Sequence, residues 1–392
     1  MNRYRWVVLG LAIFAQMAFS AVIQGLPAMG PALKEMYDLS LSQVGIILAA
    51  LTAGGALSLV PWGLLADRFG SRATLLIGLG GCGIALMAST RVDGAVSFGL
   101  LLLVAGIFGG VTSVAGGRAV LAWFSASSRG TALGMRQTAV PIGSALGALT
   151  LPAIAATSGV DGGLYVLAAS CGLAAIACGF WIRGRSSKDA EEVDGPMPMK
   201  DRRMWQLAAA TCLLAFSQLS IVTFVVLFLD EERGFTPQSA GVALAAIQLL
   251  GAVGRVGLGR WSDNLARRVL PLRRVAIAIS IAWLIVSASF EIDGGLFVVL
   301  LVAAGVLSVS WNALSFTAAA EYAGAGRAGA AIGMQQTIVF GAAAIVAPAF
   351  GSLVEAIGWR TSFLMLGISP ALAWLVLRSL EEPSLQAESV YG

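Results

Sequence analysis

Gly63-Leu64-Leu65-Ala66-Asp67-Arg68-Phe69-Gly70-Ser71-Arg72 places one acid, two arginines and two glycines in a short turn between two long apolar runs. A degraded copy begins 196 residues later: Gly259-Arg260-Trp261-Ser262-Asp263-Asn264-Leu265-Ala266-Arg267-Arg268. A charged hairpin repeated at that distance in an apolar chain points to a duplicated bundle of membrane helices.

Composition agrees. Hydrophobic residues make up 58% of the 392 and charged residues 12%, which excludes a soluble globular domain. A helix needs about 20 apolar residues to cross a bilayer. About twelve such runs occur, near 4–26, 43–66, 72–90, 95–118, 130–157, 161–182, 204–229, 238–261, 272–290, 294–317, 328–354 and 359–378. None alternates as a barrel strand must. The expectation is an all-α integral membrane protein of about twelve transmembrane helices. The run at 130–157 is long enough to tilt, or to kink at Pro141 and Pro152. The first run starts at Tyr4, is too long for a signal-peptide core and reads as a retained helix.

The net charge of +4 invites a nucleic-acid partner, but the placement of the charges argues otherwise. With loops assigned alternately, about eighteen of the 25 Lys and Arg fall on the side that holds both termini, against Lys34, Arg91, Arg233 and Arg360 on the other. Basic residues gather in cytoplasmic loops, so a bacterial-type inner membrane with both termini cytoplasmic is expected. The four cysteines all lie in apolar runs without metal-ligand spacing, and the chain has no histidine. Histidine triads, histidine metal sites and histidine proton relays are thereby excluded.

The halves align in detail. At an offset of 196, Gly45 meets Gly241, Gly55 meets Gly251 and Asp67 meets Asp263; at 199, Gly134-Met135-Arg136-Gln137-Thr138 meets Gly333-Met334-Gln335-Gln336-Thr337. The expected organisation is a six-helix bundle at 1–182, a cytoplasmic linker at 183–203, a second six-helix bundle at 204–378 and a polar, mobile tail at 379–392.

The Gly63–Arg72 hairpin resembles the loop signature of the major facilitator superfamily, G-x-x-x-D-R-x-G-x-R, between that family's second and third helices. The resemblance covers the whole chain. It implies two pseudo-symmetric six-helix bundles, a substrate site between them near mid-membrane, and secondary transport by alternating access.

Charges inside a membrane are costly and need a reason. Two break the internal repeat: Arg255 stands where the first half has Leu59, and Arg136 where the second half has Gln335. Arg255 lies eight residues before Asp263, or about 12 Å from the cytoplasmic end of its helix, and Arg136 about 9 Å in. In the resembling fold, helices five and eight meet across the central cavity. Two guanidinium groups would face one another there without an acid, an arrangement suited to a carboxylate. Gly254-Arg255, with Gly259 and Ser262-Asp263, is similar to the helix-eight pattern of monocarboxylate and oxalate/formate transporters, whose arginine binds the substrate carboxylate; Val256 stands where those families often have proline. The alternative for both arginines is structural: Arg255 by snorkelling or pairing with a loop carboxylate, Arg136 by snorkelling to the cytoplasmic headgroups.

Asp67, Arg68 and Arg72, with Arg118 and Asp263, are candidates for gating, Arg118 by pairing with Asp67 as in related transporters. Gln16, Gln24, Gln137, Gln248, Asn312, Gln336 and Trp311 are polar or amphipathic groups at helical depth; of these, Gln137, Gln248 and Asn312 are the candidates to orient a ligand. No Asp or Glu lies deep in any run, and the helix-five antiporter signature is only partial, since Ala148-Leu149 follow Gly143 and Gly147 where it has Gly-Pro. A cation exporter is thereby disfavoured. The expected function is secondary transport of small organic anions, by proton symport or anion exchange, in a monomer without cofactor, metal or nucleic acid. The alternative is a multidrug or metabolite exporter with an apolar cavity. A membrane-embedded enzyme lacks the residues it would need.

Overall fold

The computed structural model describes residues 3–124, 126–183, 198–292, 294–323 and 328–383, and among these it contains no strand. Among the described residues, ten apolar helical stretches are long enough to cross a membrane. In chain order, α1 is Tyr4–Tyr37, α2 Leu41–Ala66, α3 Arg68–Ser89 and α4 Ala95–Val120. The fifth stretch, Ala132–Trp181, runs for 50 residues and the last, Ala331–Arg378, for 48. At 1.5 Å per residue, each measures about 75 Å, enough to cross twice. Each turns back at a glycine, Gly159 with φ 68° and Gly358 with φ 74°. They therefore supply α5 (132–158), α6 (160–181), α11 (331–357) and α12 (359–378). Between them lie α7 (Arg202–Arg233), α8 (Pro237–Leu265), α9 (Val269–Ala288) and α10 (Gly295–Ala323). Twelve passes result, as the apolar runs predict. The sharp reversal after α5 comes at Gly159, beyond both prolines.

Many large apolar side chains stay uncovered around these helices, among them Leu57, Val60, Ile84, Val96, Phe180, Val253 and Ile345. Monomeric proteins in water rarely expose so much apolar surface; lipid covers it here.

The duplication is written into the backbone. Positive φ occurs at Asp38 and Gly234, at Gly70 and Ala266, and at Gly159 and Gly358; only Gly294 is left over among the described residues. The first two pairs are 196 apart and the third 199, the offsets of the sequence repeat. Chain reversals thus recur at equivalent points, even where one half has glycine and the other does not. Caps recur as well. Ser40 and Gln43 form a reciprocal capping box before α2 (Gln43 N to Ser40 Oγ 3.3 Å, Ser40 N to Gln43 Oε1 2.8 Å). Their counterpart before α8 is Thr236, whose Oγ1 accepts from Ser239 N at 3.3 Å.

By backbone proximity the described chain falls into two compact units, one of Met1–Asp189, Leu219–Leu249 and Ala343–Gly358, the other of Ala190–Gln218, Leu250–Ala342 and Trp359–Gly392. In the first unit, segments of both sequence halves pack at the end remote from the Gly63–Arg72 hairpin. Gly45 lies so close to α11 that a Cβ would come 2.6 Å from the Ala347 carbonyl oxygen, and Gly241 meets the Ala148 carbonyl of α5 in the equivalent way. Polar contacts accompany this packing: Lys34 with Glu231 at 2.5 Å, and Ser42 N donating to Glu355 Oε1 at 2.5 Å.

In the second unit the start of the polar tail is tied down, contrary to the expected mobility. Glu382 accepts from the backbone N–H groups of Arg268, Val269 and Leu270 at 2.7, 2.9 and 2.8 Å, capping the α9 N-terminus. The rest of the tail, 384–392, and linker residues 184–197 lie outside the described residues.

Gly159→Ala and Gly358→Ala are each expected to destabilise the protein by about 1–3 kcal/mol, because the left-handed backbone there strains any Cβ. Gly172→Ala, with open space around it, should stay within about 0.5 kcal/mol of wild type. Thermal unfolding in detergent measures all three, and equal effects would count against a required left-handed turn.

Candidate functional site

Helix breaks create the polar sites. α4 is interrupted at Gly110 and α10 at Trp311, and α1 carries a π-helical turn at Ala21–Gly25. Such irregularities loosen the i to i−4 ladder and leave carbonyls able to take other donors.

In the first unit, Arg136 of α5 is 5% exposed. One guanidinium nitrogen, Nη2, donates to Gln16 Oε1 of α1 at 2.7 Å and to the Thr112 carbonyl just past the α4 break at 2.5 Å. Its Nε has no partner. The group lies flat on α4, where Gly116 makes room: a Cβ there would sit 3.2 Å from Nη2. A second pairing joins Gln248 of α8, 2% exposed, to Gln24 in the π turn, Nε2 to Oε1 at 3.1 Å. Gln137, half-buried one residue beyond Arg136, joins neither pairing.

In the second unit, Arg255 of α8 is half-buried and its Nε donates to the Val309 carbonyl, just before the α10 break, at 2.8 Å. Asn312 Nδ2 donates to that same carbonyl at 3.1 Å and to Gln218 Oε1 of α7 at 3.0 Å. Arg255, Asn312 and Gln218 thus share one cluster.

Among the described residues no ion pair involves Arg136 or Arg255. A buried charge held by neutral acceptors alone is under-compensated, and it attracts an anion. Two sets of guanidinium donors are therefore available to a carboxylate, phosphate or sulfonate, without a metal ligand cluster among the described residues.

The gating candidates behave differently. Arg72 Nε donates to the Gly179 carbonyl at 2.6 Å, tying α3 to the end of α6. Arg68 stacks its guanidinium over Phe69. Asp263 pairs with Arg268 at 2.6 Å, and Arg268 also pairs with Glu321 of α10 at 2.6 Å. Arg118 is half-buried on α4. The Asp67 side chain lies outside the described residues, and with it the expected Arg118–Asp67 pair. In the second unit, the bond from Arg203, 2.8 Å away, holds the Asp201 carboxyl below its ordinary value despite partial burial.

Sequence reasoning missed Gln218, the Thr112 and Val309 carbonyls, and Glu382. Only Gln218 carried a signal, as part of a polar Ser217-Gln218-Leu219-Ser220 stretch inside an apolar helix.

Residues 8–348 match the family described as Major Facilitator Superfamily. An uncharacterized MFS-type transporter of Mycobacterium tuberculosis, Rv2994, is 34% identical over 375 residues, 94% of this chain and 84% of the relative. A probable sulfoacetate transporter of Cupriavidus necator, SauU, is 26% identical over 404 residues, covering 94% of this chain and 93% of its own. A bacterial homolog of the human lysosomal transporter Spinster has the same fold, with a TM-score of 0.82 over 97% of this chain and 98% of that one at 14% identity.

Because Arg136 has no counter-ion among the described residues, the desolvation that Arg136→Met relieves should offset the two oxygens it leaves unpaired, so the stability of the ligand-free protein should be unchanged or raised. Gln16→Leu, which strips a buried guanidinium of an acceptor, should cost about 1.5–3 kcal/mol. A thermal melt of each purified variant decides between the two. A large loss in Arg136→Met would mean that the protein does compensate the charge.

Proposed function

The chain belongs to the Major Facilitator Superfamily, and on that premise we propose that it is a secondary active transporter of small organic anions. Arg136 and Arg255 bind the anion from the first and second halves. The observation that carries this reading is the pair of guanidinium groups at membrane depth held only by neutral oxygens. A guanidinium fork matches a carboxylate bidentately, and an anion bound there supplies the counter-charge that each cation lacks. The sulfoacetate assigned to the relative SauU is itself a small organic anion. Asn312, already bonded beside Arg255, and Gln248 and Gln137 orient the ligand's remaining polar atoms.

Transport proceeds by rocking of the six-helix bundles at 1–182 and 204–378 about the bound anion. Asp67, Arg68, Arg72, Arg118 and Asp263 bias the cytoplasmic closure. With no carboxylate deep in a helix, coupling runs either by a proton carried with the acid or by exchange against a second anion. The protein acts as a monomer in the cytoplasmic membrane with both termini inside.

Arg255→Lys is expected to reduce uptake of a radiolabelled carboxylate into proteoliposomes by at least about tenfold, since a point charge does not reproduce the fork. The deciding experiment is a thermal-stability screen of mono- and dicarboxylates on the purified protein. A carboxylate that stabilises wild type but not Arg255→Ala supports anion transport. Stabilisation by neutral or cationic amphiphiles alone would favour an exporter with an apolar cavity instead.

A further inference from the structure

Two enclosed polar side chains of the second unit take no part in the clusters above. Gln335 of α11 is fully buried, and neither its amide nitrogen nor its amide oxygen has a hydrogen-bond partner among the described residues. Trp311, at the α10 break, is also fully buried, and its indole N–H is unpartnered. Buried polar groups are nearly always satisfied, so three unpaired atoms on two side chains call for a partner the protein itself does not supply.

The repeat register places them. Gln335 is the counterpart of Arg136 at an offset of 199, and the α10 break at Trp311 corresponds to the α4 break at Gly110, two residues before Thr112. In the first half, Arg136 reaches the Thr112 carbonyl. The repeat would carry that arrangement into the second half, with Gln335 facing the α10 break at Trp311. That stretch of α10 is the one Arg255 grips: Val309, whose carbonyl takes the Arg255 Nε, precedes Trp311 by two residues, and Asn312 follows it. On that arrangement a cation and a set of unpaired neutral groups would share residues 309–312.

We infer that Gln335 and Trp311 form a neutral subsite that hydrogen-bonds a hydroxyl of the carried anion, making hydroxycarboxylates the preferred substrates. This rests on the anion-transport reading above. The unpaired set comprises donors, Gln335 Nε2 and Trp311 Nε1, together with one acceptor, Gln335 Oε1. A second carboxylate only accepts and would turn lone pairs toward Oε1; an ammonium only donates and would oppose both N–H groups. A hydroxyl does both, donating to Oε1 and accepting from Nε2 or the indole. A methyl in its place leaves all three atoms unpaired, and that mismatch is the source of discrimination.

The test uses matched acids on the full-length protein in detergent: glycolate against acetate, and lactate against propionate, with affinity read by calorimetry. Wild type should bind each hydroxy acid about tenfold more tightly than its parent, as one net hydrogen bond gives. Gln335→Leu should abolish that preference while keeping the affinity for acetate and propionate, and Trp311→Phe should weaken it. Since the removed amide has no partner, the ligand-free Gln335→Leu protein should also melt at the same temperature as wild type or higher. Equal affinities within each pair in wild type, a preference that survives Gln335→Leu, or a lower melting temperature of that ligand-free variant would each overturn the subsite. Those results leave the anion reading intact. If neither acid of a pair binds wild type, or Arg255→Ala binds both as well as wild type, the anion reading falls and the subsite with it.

Discussion

A guanidinium inside an apolar bundle must find oxygen, and in this chain it finds backbone carbonyls rather than carboxylates. An intact helix keeps its carbonyls for itself, so this solution needs helices that are broken at the right depth. α4 and α10 are broken where Arg136 and Arg255 reach them, and the carbonyls of Thr112 and Val309 accept. Gly116 then has to be small, because the Arg136 guanidinium lies on it. Gln16 adds a neutral acceptor to Arg136 without neutralising its charge. A carboxylate partner would have been more stabilising, but it would have removed the attraction for an anion. The scaffold carries two under-compensated cations, and on the proposed reading their stabilisation is left to a ligand.

The same bundle shows what duplication preserves. Reversals of the chain at 38, 70 and 159 recur at 234, 266 and 358 although the residues differ in two of the three pairs. Ala266 and Asp38 accept a left-handed conformation that glycine adopts without strain at the equivalent place. The close approaches of Gly45 to Ala347 and of Gly241 to Ala148 are likewise images of one another under the two offsets. Backbone path and helix spacing are conserved by the repeat, while side chains at membrane depth are not.

This division explains what could be read from the sequence. Twelve passes follow from apolar run length, and the register follows from the charged hairpin and its copy. Arg136 and Arg255 stand out because the register compares each with an uncharged counterpart. Their partners did not stand out, since a carbonyl is present at every residue and only the helix break, a tertiary outcome, frees it. Gln335 was legible merely as what Arg136 had replaced; its lack of a hydrogen bond is a property of packing. Glu382 looked like tail because a carboxylate that caps a helix more than a hundred residues earlier in the chain leaves no local pattern. The reversal between α5 and α6 falls at Gly159, between the apolar runs 130–157 and 161–182, because full reversal needs a positive φ that proline cannot adopt.

Arg136 and Gln335 occupy one position of the repeat, and the difference between them separates two kinds of recognition. A cation at that position pulls on net charge over several ångströms and accepts many anions. An amide acts only at contact and requires a donor and an acceptor in defined places, so it selects among them. A transporter built from two equal halves can divide these tasks without changing its backbone, charge from α5 and α8, selection from α11 and the α10 break. Exchanging the residues at 136 and 335 would then move the polar task from one half to the other while the helix framework, fixed by the glycine reversals and the capped helix starts, stayed as it is.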